Sequence, residues 1–135
     1  MKGLSMSHAK PISILAVDDE PGVLALVRGC MKDDEQVTVF AALSGKEALE
    51  HLAAGPVPDL LITDLHMPEI DGAELARRIR LQEPEMKVLY LTGFADGLFE
   101  AKPVLWDDEA YLDKPFTKQG LREAVALLLF GHPTL

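Results

Sequence analysis

The chain predicts an α/β fold with a five-stranded parallel sheet covered by helices on both faces. Two observations carry this. Five short apolar runs, several of them β-branched, have the character of buried parallel strands. Between them lie segments with apolar residues at helical spacing, some opened by capping residues. The 135 residues fit one domain and suffice to bury a real core.

Ile12 to Val17 is the first strand, and it stops at Asp18-Asp19-Glu20-Pro21. Pro21 suits the first position of a helix, where its missing N–H costs nothing. Val23, Val27, Cys30 and Met31 then repeat at helical spacing. Val37 to Ala41 is the second strand. Ser44 and Glu47 form a capping-box pattern that opens a helix through Ala53, closed by Gly55. Asp59 to Thr63 is the third strand. Asp71, with Glu74 three residues on, caps a helix holding Leu75, Ala76 and Ile79. Val88 to Leu91 is the fourth strand. Residues 95–108 have some helical character, which Pro103 should break. Ala110 to Leu112 is the fifth strand. Thr117 caps a last helix through Phe130, with Leu121, Val125 and Leu128 on one face.

Residues 1–10 read as a flexible leader, residues 11–131 as the domain, and Gly131 to Leu135 as a frayed end. The net charge of −9 argues against nucleic acid as a direct ligand and against a polybasic membrane anchor. The single Cys30 excludes an internal disulfide and suits a reducing compartment. The first ten residues lack the apolar core of a signal peptide. The longest apolar run, Val125 to Phe130, is far short of the roughly 20 residues of a membrane helix. The expectation is a cytoplasmic protein of one domain, with no output domain.

In parallel sheets of this kind, ligands bind beyond the carboxyl ends of the strands. Asp18 and Asp19 follow strand one, Asp64 follows strand three, Thr92 follows strand four, and Lys114 follows strand five. Three carboxylates in one crevice repel each other unless a cation sits among them. An all-oxygen set suits Mg²⁺ or Mn²⁺. A carboxylate beside such a metal can attack phosphorus and form an aspartyl phosphate. A metal, a Lys and a hydroxyl then neutralise the transferring group. Each residue alone has a plainer reading. The acidic pair could cap the first helix, Asp64 to Pro68 could be a polar turn, and Lys114 could lie in a surface loop. Their joint occurrence at one sheet edge weighs against those readings.

Other residues read as structural. Cys30 lies on an apolar helix face. His8, His51 and His132 fit no zinc spacing. Trp106 is local packing or an interface anchor. The run Leu127 to Phe130 is apolar on more than one face, which leaves room for a partner or a homodimer surface.

Four segments together resemble the receiver domain of two-component response regulators. They are Val17-Asp18-Asp19-Glu20, Ile62 to Gly72 (ITDLHMPEIDG), Leu91-Thr92-Gly93 and Tyr111 to Phe116 (YLDKPF). The resemblance covers about residues 11–130. It implies a flavodoxin-like doubly wound (βα)5 three-layer sandwich with strand order 2-1-3-4-5. Asp64 would accept a phosphoryl group from a phosphohistidine of a sensor kinase or histidine phosphotransfer protein. Asp19, Asp64 and the backbone carbonyl of His66 would hold Mg²⁺, with Asp18 helping through water. Lys114 would pair with the phosphoryl group. Thr92 would swing its hydroxyl onto it, and Tyr111 would turn inward behind. That movement would reshape the surface of segment 95–108, the fifth strand and the last helix. The Lys114–Pro115 bond is often cis in the family. One departure stands out: Asp108-Glu109-Ala110 occupies the place of a small Gly-Ala pair.

The resemblance implies a phosphoacceptor with self-catalysed phosphorylation and dephosphorylation rather than an enzyme with turnover. Three alternatives stay open. A phosphatase of the haloacid dehalogenase type also uses an Asp nucleophile and Mg²⁺, but needs a second Asp where His66 stands. A phosphorylation-independent interaction module predicts losses among Asp18, Asp19, Asp64 or Lys114, and all four are present. The chain could also be the receiver fragment of a larger hybrid kinase.

Overall fold

The run Leu60 to Asp64 is buried along its whole length, which suits a strand at the centre of a sheet covered on both faces. The computed structural model, which describes residues 10–93 and 108–135, places it there. The elements are β1 (Ile12–Val17), α1 (Pro21–Met31), β2 (Val37–Ala42), α2 (Gly45–Ala54), β3 (Leu60–Asp64), α3 (Gly72–Gln82), β4 (Lys87–Thr92), β5 (Glu109–Asp113) and α4 (Lys118–Phe130). All strand pairs are parallel, in the expected order β2-β1-β3-β4-β5. The fold is the flavodoxin-like three-layer sandwich. Among the described residues, no helix is long and apolar enough to cross a membrane.

Alternation along the strands splits the core into two layers. Leu15, Val17, Leu61, Val88 and Tyr90 face α2 and α3, meeting Ala48, Leu52, Leu75, Ala76 and Ile79. Ile14, Ala16, Leu60, Ile62, Leu89 and Leu91 face α1 and α4, meeting Val27, Cys30, Met31, Leu121, Val125 and Leu128. Burial pushes the Cys30 thiol up, which keeps it an inert core residue.

The helix starts follow their caps. Ser44 Oγ accepts from Glu47 N–H at 3.1 Å, Asp71 Oδ1 from Glu74 N–H at 2.8 Å, and Thr117 Oγ1 from Gly120 N–H at 2.9 Å. The Glu47 carboxylate reaches back to Leu43 N–H rather than to Ser44. Strand three begins one residue later than expected. Asp59 sits below it, with its carboxylate accepting from Ser13 N–H at 2.8 Å. Of the expected frayed end, Gly131 to Thr134 are exposed beyond the last helix. Gly131 adopts a left-handed cap at φ 79°, and Leu135 packs against the α1–α4 layer. The ambiguous segment 95–108, with Pro103 and Trp106, lies outside the described residues apart from Asp108, as does the leader apart from Lys10.

The departure at Asp108-Glu109 has a structural account at the amino ends of β4 and β5. The Glu109 side chain is fully buried and pairs with Arg80 of α3. The Tyr90 hydroxyl donates to the same carboxylate oxygen at 3.1 Å. Burial, and then the Glu109 charge, push the Tyr90 phenol far above its ordinary range. Arg80 also donates to Met86 O, and Lys87 pairs with Asp108 at 2.9 Å. Small residues would leave Arg80 uncompensated.

Breaking a buried ion pair from one side strands the other charge. Glu109→Gln should therefore lower the unfolding free energy by about 3 kcal/mol. Tyr90→Phe should cost about 1 kcal/mol. Urea denaturation monitored by circular dichroism measures both.

Candidate functional site

The parallel register brings the carboxyl ends of the strands to one edge. Val17 pairs with Thr63, Asp64 with Leu91, and Thr92 with Asp113. Asp18, Asp19, Asp64, Thr92 and Lys114 lie at or just beyond those ends.

Asp18 is fully buried and Asp64 nearly so, while Asp19 is exposed. One carboxylate oxygen from each of the three lies within 4.8 Å of the others. The Lys114 ammonium is 3.0 Å from Asp18 Oδ2, 3.5 Å from Asp64 Oδ1 and 3.7 Å from Glu20 Oε1. The Lys114–Pro115 bond is cis. Asp18 Oδ1 also accepts from Glu20 N–H, which makes a tight turn ahead of α1. Glu20, not the acidic pair, is the N-cap residue of that helix, and its side chain makes no capping bond.

Burial raises the Asp64 carboxyl above its ordinary value, and the Asp18 charge adds to this, against Lys114 and the His66 N–H. For Lys114, burial works against the ammonium. Its bond to Asp18 and the charges of Asp64, Asp18 and Glu20 outweigh burial and hold it above the ordinary lysine value. The three clustered carboxylates, with Glu20 beside them, face one ammonium, so negative charge is in excess. An all-oxygen cluster with that imbalance fits a hard divalent cation.

The loop from β3 to α3 is fixed by two glycines. A Cβ on Gly72 would lie 2.3 Å from the Asp64 carbonyl oxygen, and one on Gly45 would lie 2.8 Å from Ile70 Cβ. The bare start of α3 thus fits against Asp64, and Ile70 fits against the start of α2. Glu69 between them takes φ 67°, an uncommon conformation for a side-chain-bearing residue. His66 is exposed, and its N–H donates to Asp64 Oδ1 at 3.3 Å. Thr92 is fully buried, and its carbonyl accepts from Lys114 N–H at 2.9 Å. Tyr111 is half-buried next to Tyr90, packed on the α2–α3 layer rather than among the carboxylates. Sequence reasoning missed Glu20, Thr63 and Gly72. Glu20 and Thr63 each adjoin an acidic candidate in sequence, and a Gly directly after the cap Asp71 hinted at a close approach.

Residues 14–126 match the model of the response regulator receiver domain. The chain belongs to that family. It is 36% identical over 118 residues to the response regulator receiver protein CpdR of Brucella abortus, covering 87% of this chain and 96% of CpdR. It is 34% identical to the sensor histidine kinase TmoS of Ectopseudomonas mendocina over 86% of this chain, but spans 12% of TmoS. Among solved structures, it resembles the response regulator TrrA of Thermotoga maritima in complex with Mg²⁺ and BeF. The TM-score is 0.74 with 34% identity, over 87% of this chain and 99% of TrrA.

A carboxyl raised by folding binds protons that the unfolded chain has already lost. Between the ordinary Asp value and the raised one, stability therefore falls as pH rises. Metal-free Asp64→Asn should melt higher than wild type at neutral pH, and that gain should vanish below the ordinary Asp range. A pH series of thermal melts reads this. Gly72→Ala should lower the melting temperature and shift the amide resonances of residues 64 and 65 in NMR, because a Cβ there meets backbone.

Proposed function

We propose that this receiver accepts a phosphoryl group on Asp64 from a phosphohistidine, on a sensor histidine kinase or a histidine phosphotransfer protein. The observation that carries this reading is the cluster of Asp18, Asp19 and Asp64 around a single Lys114 ammonium at the strand ends. An Asp64 oxygen forms the new bond to phosphorus as the phosphorus–nitrogen bond breaks, and the electron pair returns to the imidazole. Asp18, Asp19, Asp64 and the carbonyl of His66 would hold Mg²⁺, or Mn²⁺, which when bound supplies positive charge beside the phosphoryl oxygens. Lys114 leaves its carboxylate partners to meet the new anion. Thr92 presents its hydroxyl to a phosphoryl oxygen, and Tyr111 moves inward behind it. The charge added at Asp64 thereby biases a two-state surface that a downstream protein, or a second copy of the chain, reads. The chain acts as a phosphoacceptor rather than as an enzyme with multiple turnover. His66 in place of a second Asp counts against a phosphatase of the haloacid dehalogenase type.

Incubation with acetyl phosphate and Mg²⁺ should add the mass of one phosphate to the intact protein. Asp64→Asn should take none, and Asp19→Ala should lose Mg²⁺ affinity by calorimetry. An adduct retained in Asp64→Asn contradicts the assignment.

A further inference from the structure

Strand β3 reads Leu60, Leu61, Ile62, Thr63, Asp64, and every one of these residues is buried. Thr63 has no exposed surface. A valine has the same shape, suits a buried parallel strand, and brings no hydroxyl to satisfy. The hydroxyl is nevertheless satisfied in a particular way. Thr63 Oγ1 donates to the backbone carbonyl of Asp64 at 2.9 Å. The same carbonyl oxygen is the atom that a Cβ on Gly72 would strike at 2.3 Å. The Asp64 carbonyl is thus held by a hydroxyl and closely approached by a helix start that has no side chain.

We propose that Thr63 is a positioning residue for phosphoryl transfer to Asp64, an inference that rests on the acceptor reading above. Holding the Asp64 carbonyl fixes the peptide plane that follows its Cα. That plane carries the chain to His66, whose N–H contacts Asp64 Oδ1 at 3.3 Å. It also fixes the direction in which the Asp64 side chain leaves the backbone, toward Lys114 at 3.5 Å. In-line attack on phosphorus tolerates little misalignment, because reacting atoms must meet at near-contact distance with the right orientation. Cation binding tolerates more, because its three carboxylates can each turn about their own side-chain bonds and only the His66 carbonyl depends on that plane. Loss of the Thr63 hydroxyl should therefore slow the transfer and spare the metal.

The test compares wild type, Thr63→Val and Thr63→Ser on the whole chain. Adduct formation with acetyl phosphate at saturating Mg²⁺ is followed by intact mass. Mg²⁺ affinity is measured by calorimetry and stability by thermal melting. Thr63→Val should form the adduct about tenfold more slowly, with Mg²⁺ affinity within about twofold of wild type and the cooperative melt retained. Thr63→Ser, which restores the donor, should return the rate to within about twofold of wild type. The proposal is overturned by a Thr63→Val rate equal to wild type, by a loss of Mg²⁺ affinity that accounts for the slower rate, or by a Thr63→Ser variant as slow as Thr63→Val. A wild-type chain that takes no phosphate overturns the acceptor reading itself. A wild type that is phosphorylated while Thr63→Val matches it overturns only the role of Thr63.

Discussion

Asp18 and Asp64 lie beneath the surface within reach of one ammonium, and the rest of the edge is arranged around that electrostatic imbalance. Buried like charges resist ionisation, and each opposing charge must be supplied from a different part of the chain. Lys114 comes from beyond β5, Asp18 from beyond β1 and Asp64 from the end of β3. The parallel sheet is what makes this encounter reproducible, because its register sets all these ends at one level. The close fit of α3 at Gly72 and the buried Thr63 then serve the same end on a smaller scale. They hold the backbone of the one carboxylate that faces both the acidic pair and the ammonium.

Much of this was legible in the sequence because it depends on local chemistry. Buried strands announce themselves by composition, and the caps at Ser44, Asp71 and Thr117 carry recognisable patterns. The strand-end rule then gathers Asp18, Asp19, Asp64, Thr92 and Lys114 without any structure. Contacts made across distance in the chain could not be read. That Glu109 would be fully buried follows from Arg80, 29 positions earlier, and no local signal links the two. The packing of Leu135 against the α1–α4 layer depends on a surface that exists only in three dimensions. Thr63 was passed over because a β-branched residue is expected in a strand whatever its hydroxyl does.

The two helical layers differ in how they are tied together. Arg122 of α4 donates to the Cys30 carbonyl at 3.3 Å and faces Asp34 at 3.7 Å, while Lys118 meets Asp33 at 3.1 Å. These bonds close the carboxyl end of α1 against the start of α4, so that layer is fastened by polar contacts around an apolar seam. On the other layer, the polar fastening is the group formed by Arg80, Tyr90 and Glu109 at the amino ends of β4 and β5.

That placement has a mechanical meaning. β4 and β5 are bolted to α3 at their amino ends, yet their carboxyl ends carry Thr92 and lead into Lys114. A beam clamped at one end responds to a load at the other by bending, most at the loaded end and least at the clamp. A load at the acidic edge would therefore be felt most at Thr92 and Lys114 and least at Glu109, with Tyr111 midway along β5 between them.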